Sequence, residues 1–540
     1  MRGLMMDGRL TLTAILDRAQ KLAARKEIVS RLADRSLHRY TYADFAVRAK
    51  RLAAALGSLG VEPGDRVATL MWNGYRHLEA YFGVPAAGAV LHTLNLRLHP
   101  DDLAYIMNHA EDRVLIVDEN LLPLYEAVRD RVNPDHVVVA REGEEPAPEG
   151  MLDYEELLAS VEESDFTPPD LDERDAAAMC YTSGTTGRPK GVLYSHRSLA
   201  LHSLMHLAAD TLAVSERDTT LPVVPMFHAN AWGLPFSSAL AGSKQVMPGP
   251  HLDPESLLEL FQDEDVTITA GVPTIWLGIL QTLDKEPERY DLSKLRAMLV
   301  GGSAPPESLI RAFRERHGLT VLQGWGMTET SPLATTASLT SEVLAEDADT
   351  IYRYRAKQGY PVPFVEVRLR GEDGLAPWDG ETMGEIELRG PWVASSYYES
   401  PDSADKFAED GWLKTGDIAT VDERGYIELK DRTKDLIKSG GEWISSVALE
   451  NALMGHDAVA EAAVIATPDE RWGERPLACV VFKEGRSATP EELREHLAKS
   501  FASWQLPDSY RVIEEIPKTS VGKFKKTELR ERFAGTSPEV

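Results

Sequence analysis

Met179-Cys180-Tyr181-Thr182-Ser183-Gly184-Thr185-Thr186-Gly187-Arg188-Pro189-Lys190-Gly191 sets four hydroxyl side chains, three glycines and a lysine within ten residues, Thr182 to Gly191. Apolar residues lead in (Ala176 to Met179) and strand-forming residues follow (Val192, Leu193, Tyr194), so the segment reads as strand, polar loop, strand. Such a loop suits phosphate. Glycines let backbone N–H groups approach closely, hydroxyls donate, and lysine adds positive charge. The spacing is not that of a G-x-x-x-x-G-K-[ST] loop opening a helix, because Arg188-Pro189 follow Gly187 and Gly191 follows Lys190. Taken alone, the loop also fits an ordinary Gly/Ser/Thr turn.

Upstream, Thr11 to Ala24 reads as an amphipathic helix, and Thr41 with Asp44 forms a capping box ahead of Phe45, Leu52, Leu56 and Leu59 at helical spacing. Strands are expected over 66–71, 89–93 and 113–118, with helices over 77–87 and from Pro100. This β-α-β-α-β rhythm implies a parallel sheet covered on both faces. The acid- and proline-rich stretch 142–170 reads as a surface connection. From Ser195 the α/β rhythm returns, with strands over 218–224, 266–270 and 295–300 and a helix over 254–262. Glycines follow predicted strand ends at Gly301-Gly302 and Gly324, where ligands sit in open α/β sheets.

After Lys357 short strands (365–369, 385–388, 426–429) suggest a small β-barrel. Beyond Asp431 a helix over 447–454, strands over 459–466 and 477–482, a helix over 490–501 and a strand near 510–512 make a small α/β unit. The expected architecture is therefore α/β: a large N-terminal domain (1–430) of two α/β subdomains plus a small β-barrel, and a small, mobile α+β C-terminal domain (431–540).

Further segments carry residues suited to chemistry. Pro225 to Gly233 places His228 and Trp232 four residues apart beside glycine; a core turn with a satisfied histidine is the alternative. Gly324-Trp325-Gly326-Met327-Thr328-Glu329-Thr330 offers an aromatic face for a base and oxygen ligands for Mg²⁺, or is a loop with a solvated glutamate. Thr415-Gly416-Asp417 presents a carboxylate able to grip both hydroxyls of a ribose, or a turn residue. Gly440-Gly441 lets a thin ligand pass close to the backbone, and also fits a hairpin turn. Lys523 follows Gly522 near the C-terminus.

In this order, over roughly residues 30 to 530, these segments resemble the adenylate-forming superfamily of acyl-CoA synthetases, adenylation domains and luciferases. The Gly-Glu-Trp-Ile-Ser run at 441–445 resembles the AMP-forming, medium- to long-chain fatty acyl-CoA synthetases. The resemblance implies ATP, Mg²⁺ and CoA as cofactors and a carboxylic acid as substrate, joined through acyl-AMP with release of pyrophosphate. The same chemistry on a short acid such as 3-methylmercaptopropionate is the alternative, with a carrier-loading adenylation domain and a non-catalytic sensor as more distant ones.

By the same resemblance the nucleotide site takes Thr182, Ser183, Gly184, Thr185, Thr186, Gly187, Lys190, Ala229, Gly302, Ser303, Ala304, Gln323, Gly324, Trp325, Gly326, Thr328, Asp417, Arg432, Lys434, Lys438, Trp443 and Lys523. The acyl site takes His228, Trp232, Gly233, Gly302 and Gly326, and CoA takes Ser439, Gly440, Gly441, Glu442 and Trp443. Thr182 and Glu329 hold the metal; Lys523, His228, Thr182 and Glu329 are the catalytic residues; Asp431 is the hinge. Ser183 stands where Thr or Ser is usual, and Trp325 where Tyr is frequent.

Composition agrees with a globular enzyme: 540 residues, 43% hydrophobic and 27% charged. A formal net charge of -28 argues against nucleic acid or an anionic membrane as partner. Cys180 and Cys479, the two cysteines, make no disulfide framework or zinc spacing and fit a reducing compartment. Met1 to Leu16 is broken by Asp7 and Arg9, so no signal peptide is expected, and no apolar window reaches the ~18 residues of a membrane span. A cytoplasmic homodimer without stable membrane insertion is the expectation.

Overall fold

The computed structural model describes residues 1–540 apart from 2, 144, 183–187, 372–373, 441, 470, 519–523 and 534–540. Two sheets frame the site. The first has seven strands in the spatial order Leu152–Asp153, His136–Ala140, Asp112–Asp118, Arg66–Leu70, Val90–Thr93, Ala176–Tyr181, Gly191–Ser195. All its pairings are parallel except the last, Ala176–Tyr181 with Gly191–Ser195, which is the predicted strand–loop–strand unit. The parallel strands are buried runs such as Val114 to Val117, as expected where helices cover both faces.

The second sheet has nine strands: Tyr360–Pro361, Leu333–Thr336, Val321–Gly326, Ala297–Val300, Ile268–Gly271, Thr219–Pro222, Lys244–Met247, Glu27–Arg31, Leu37–Thr41. Its parallel middle ends in Gly301-Gly302 and in the Trp325 to Glu329 segment, both at strand C-termini. The hairpin Glu27–Arg31/Leu37–Thr41 was not foreseen. Its first strand runs parallel to Lys244–Met247 and buries Ile28 and Val29, so the N-terminus ties into the second sheet before the chain builds the first.

Helix starts follow their caps. Thr11 caps Leu12–Leu22, and the Thr41/Asp44 box opens Tyr42–Ser58 with both reciprocal bonds formed. The stretch 142–170 is more ordered than a surface connection. Asp153 caps a helix, Tyr154–Ala159, that buries Tyr154 and Leu158 one turn apart. One of its acids is paired: Glu155 bonds Arg48 and Arg76, while Glu156 is exposed. The helix predicted over 490–501 stops at Leu497, whose carbonyl accepts from both Ser500 and Phe501 in the closing turn.

The expected small β-barrel corresponds to a five-stranded antiparallel sheet, Gly374–Leu375, Glu366–Gly371, Gly384–Arg389, Leu413–Val421, Ile427–Arg432. It has its own apolar core around Leu369, Ile386, Leu388 and Ile427. Beyond it, Glu442–Ile444, Ile437–Ser439, Gly473–Phe482 and Val459–Asp469 form a sheet extended by Ser509–Val512. Helices Ser446–Met454 and Pro490–Leu497 join Leu449, Leu453, Val464, Val480 and Leu493 in one core, and Lys526–Phe533 contributes Leu529 to a second.

Candidate active site

Asp417 and Arg432 stand opposite each other in the register of the antiparallel pair Leu413–Val421/Ile427–Arg432, with Arg432 Nε 3.0 Å from Asp417 Oδ1. The indole Nε1 of Trp325 donates to the other oxygen, Asp417 Oδ2, at 3.2 Å. A buried carboxylate is thus aimed by two donors from two different sheets, and each oxygen retains acceptor capacity for a diol. The turn is fixed locally. Asp417 N donates to Thr415 Oγ1 at 3.1 Å, Thr415 Oγ1 donates to Ile386 O at 2.8 Å, and Gly416 takes φ +73°. Asp417 is the main cause that raises the Arg432 guanidinium above its usual range.

The neck of the 182–190 loop is closed by Thr182 N donating to Lys190 O at 2.9 Å and Lys190 N donating to Thr182 Oγ1 at 3.1 Å. Ser183, Gly184, Thr185, Thr186 and Gly187 lie outside the described residues. Beside the neck, Lys190 Nζ sits 5.1 Å from the centre of the Tyr397 ring, and the Tyr397 hydroxyl donates to Glu329 Oε1. Burial first, and the Glu329 charge next, push the Tyr397 phenol well above its usual range, so it remains a donor. Tyr194 OH donates to Thr328 O at 2.8 Å and anchors the Glu329 turn to the first sheet. Gly326 has to be glycine. A Cβ there would lie 1.7 Å from Pro332 O.

The third part is apolar. Ala229, Asn230, Ala231 and Trp232 take φ of 41°, 52°, 49° and 54°, followed by Gly233 at 77°. A buried left-handed turn of non-glycine residues costs about 1–2 kcal/mol per residue. It turns Trp232 onto Gly301, where a Cβ would meet Trp232 Cη2 at 3.0 Å. Gly233 lies behind Trp232, and a side chain there would meet His202 Nδ1 at 2.7 Å. The neighbouring His206 is neutral, because burial lowers it to about 4.

Apart from Asp417, these parts line a cavity of about 380 Å³ that brings together Thr182, Lys190, His228, Ala229, Trp232, Gly302, Gly324, Trp325, Gly326, Thr328, Glu329, Arg432 and Lys434. A second cavity of about 640 Å³ shares Gly302, Gly324, Trp325, Gly326, Arg432 and Lys434 with it and adds Ser303, Ala304, Gln323, Asp417 and Asp431. Tyr397, His206, Lys406 and Lys414 are among the lining residues that had no sequence signal. Tyr397 falls in the unremarkable run Ser395-Ser396-Tyr397-Tyr398, and its role depends on where the 390–398 loop returns.

The segment assigned to CoA is elsewhere. Lys438, Ser439, Gly440 and Trp443 line neither cavity. Lys438 Nζ lies 5.0 Å over the Trp443 ring, and Ser439 Oγ accepts from Arg475 at 3.0 Å. Gly440, at φ +62°, lies under Trp472, whose Cε3 would be 2.9 Å from a Cβ. Gly441 and Lys523 lie outside the described residues, as does the side chain of Glu442. The stem beside Lys523 is described: Lys518 pairs with Phe524, and Phe524 lines the larger cavity with Gly302 and Asp417. Gly233 lines neither cavity and serves the packing behind Trp232. Among the described residues no group of three or more His, Cys, Asp or Glu is arranged to hold a metal, and no helix is long and apolar enough to cross a membrane.

Residues 16–398 match the family described as "AMP-binding enzyme", and residues 448–523 match "AMP-binding enzyme C-terminal domain". A long-chain-fatty-acid–CoA ligase of Thermus thermophilus is 55% identical over 98% of this chain and 96% of that protein. A 3-methylmercaptopropionyl-CoA ligase of Ruegeria pomeroyi is 44% identical over 99% of both. Among solved structures, an anthranilate CoA ligase in complex with anthranoyl-AMP superposes with a TM-score of 0.86 at 26% identity, covering 98% of this chain and 99% of that one. With the Asp417 carboxylate on one cavity, and the Thr182/Lys190 neck and Trp232 on the cavity that shares Trp325 and Arg432 with it, the chain belongs to the AMP-binding enzymes and is an AMP-forming acyl-CoA ligase of the adenylate-forming superfamily.

Proposed function

We propose that the ligase joins a medium- or long-chain fatty acid to CoA. The observation that carries this reading is the identity, over nearly the whole length, with a ligase named for long-chain fatty acids. The close 3-methylmercaptopropionyl-CoA ligase keeps a short acid as the second reading.

A carboxylate is a poor acyl donor because oxide is a poor leaving group. In the first step one carboxylate oxygen attacks the α-phosphorus of ATP, and pyrophosphate leaves with the bridging electron pair. In the second, the CoA thiolate attacks the acyl carbon, and AMP leaves carrying that oxygen. Asp417 and Arg432 fix the ribose, Trp325 flanks the base, and Lys190 and Lys523 offset the charge that gathers in the transition state. Trp232, packed on Gly301, forms the wall against which the acyl chain lies.

Glu329 and Thr182 supply oxygen donors at the cavity wall, the donor type a hard cation prefers, so magnesium fits with phosphate oxygens completing its shell. Bound there it would neutralise phosphate charge. The 1–430 part would then bind nucleotide and acid, and the 431–540 part would act as a lid carrying Lys523 and the CoA-facing segment 439–443. The two segments lie on one small unit, and the stem beside Lys523 borders the cavity while Ser439 and Gly440 do not. Rotation about Asp431 between the half-reactions would bring each in turn. We further propose a cytoplasmic homodimer; the buried free thiols Cys180 and Cys479 support the reducing compartment.

A panel of straight-chain acids from short to long, with 3-methylmercaptopropionate and aromatic acids, tests the substrate by pyrophosphate release with and without CoA. The fatty-acid reading expects the highest kcat/KM on medium or long chains. An optimum on 3-methylmercaptopropionate would replace it with the second reading.

A further inference from the structure

Lys526 is one of the most buried lysines of the chain, at 9% exposure, and it opens the helix Lys526–Phe533 just after the Lys523 segment. Its Nζ lies 2.7 Å from Glu450 Oε1, and it donates to Ser446 Oγ. Ser446 passes the contact on. Its backbone N donates to Asp431 Oδ2 at 2.7 Å, and its hydroxyl donates to the same oxygen. Glu450 also accepts from Val464 N at 2.7 Å. A second tie repeats the pattern one turn along, where Arg530 pairs with Asp435. The last described helix is therefore fastened twice to the 431–435 connector, nearly a hundred residues upstream. The first fastening ends on the residue assigned as the hinge.

A buried lysine between carboxylates is not the cheapest way to hold a helix, since apolar packing of the same volume commonly does better. Its directional bonds do what apolar packing cannot: they fix a register. The network also borders the larger cavity, where Asp431, Glu450 and Lys526 line the same space as Gly302, Ser303 and Phe524. Any change of backbone angle at Asp431 displaces the carboxylate that holds Ser446. Through Lys526 it reaches the helix that continues from the Lys518/Phe524 stem.

We propose that Lys526 is a positioning residue that couples the hinge to the stem of the lysine segment, so that the small unit delivers Lys523 to the nucleotide in the adenylating orientation. This rests on the reading that the small unit turns about Asp431. The bonds of Lys526 run to Glu450 and Ser446, so its effect on the chemistry passes through Ser446 and Asp431.

The test uses full-length protein and measures the half-reactions separately: single-turnover acyl-AMP formation without CoA, and CoA-dependent consumption of supplied acyl-AMP. In Lys526→Met, acyl-AMP formation falls at least about tenfold while consumption of supplied acyl-AMP stays within about threefold. The double variant Lys526→Met/Glu450→Gln removes the unpaired carboxylate at 450 and shows the same split, which keeps the test in hand if the single variant fails to fold. Lys526→Arg, which keeps the charge and donors, recovers acyl-AMP formation to within about threefold of wild type. Equal loss of both half-reactions in the double variant, or no loss in either, overturns the proposal. Asp431→Pro tests the hinge itself. If it leaves both half-reactions at wild-type rates, the hinge reading falls and the coupling with it. If it separates them while Lys526→Met does not, the coupling alone falls.

Discussion

Replacing Trp325 by phenylalanine keeps an aromatic face at the proposed nucleotide site and removes one donor from Asp417, the carboxylate proposed to grip the ribose. The indole N–H reaches Asp417 Oδ2 at 3.2 Å, the long side for such a bond, while Arg432 holds the other oxygen at 3.0 Å. Hydrogen bonds to charged groups contribute about 1.5–3 kcal/mol, and a long one with a second donor still in place belongs near the lower end. About 1.5 kcal/mol corresponds to roughly a tenfold loss in kcat/KM for ATP. Continuous pyrophosphate release at varied ATP and saturating acid measures it. The loss is expected in the KM for ATP, with the KM for the acid unchanged, because a proposed ribose grip acts in ground and transition states alike. A kcat/KM for ATP within about twofold of wild type would refute the claim that the indole aims Asp417. So would a loss confined to the KM for the acid.

Other substitutions test other parts. Tyr397→Phe removes the donor to Glu329, and a loss of about tenfold in kcat/KM that is partly recovered at raised Mg²⁺ is expected from metal titrations. Gly233→Ala forces a Cβ to 2.7 Å from His202 Nδ1 at φ +77°, and overpacking of about 1–3 kcal/mol should lower the urea midpoint and slow acylation through Trp232. Burial lowers His77 to about 4 from its ordinary 6.5, so the unfolded chain binds the extra proton between those values. The stability this histidine contributes is complete above pH 6.5 and is lost as pH falls toward 4. Relative to His77→Gln, the wild type should therefore lose about 1.6 kcal/mol in all on going from pH 6.5 to 5, read from urea unfolding. Parallel pH profiles of the two proteins would contradict a neutral buried His77.

The sequence made the strand-loop-strand unit, the parallel sheets and the Thr41/Asp44 cap readable because each is set by short-range chemistry. The Thr41/Asp44 box and Gly301, just past Ala297–Val300, are local signals that stand where the pattern puts them, whereas Gly324 falls inside Val321–Gly326, which runs on to pair with Leu333–Thr336. The hairpin 27–41 was not readable, because Glu27–Arg31 is completed by Lys244–Met247, more than two hundred residues away. The helix 154–159 was hidden by its acids; the arginine partners of Glu155, Arg48 and Arg76, lie on other elements. The site divides the same way. Asp417, Glu329 and Trp232 stand in ordered motifs, whereas Tyr397, His206 and Lys526 owe their positions to loops and helices that return from elsewhere. The Trp325 indole, flagged by the sequence as the loss of a hydroxyl, proves to be a donor that a phenylalanine would lack.

The central claim is that a carboxylate oxygen passes through an acyl adenylate to AMP. The most direct measurement is turnover of ¹⁸O-labelled fatty acid with ATP and CoA, followed by mass spectrometry of the products. One labelled oxygen in AMP, none in pyrophosphate and one retained in the acyl-CoA is the predicted result. Label in orthophosphate with formation of ADP, or AMP released without label, would contradict it.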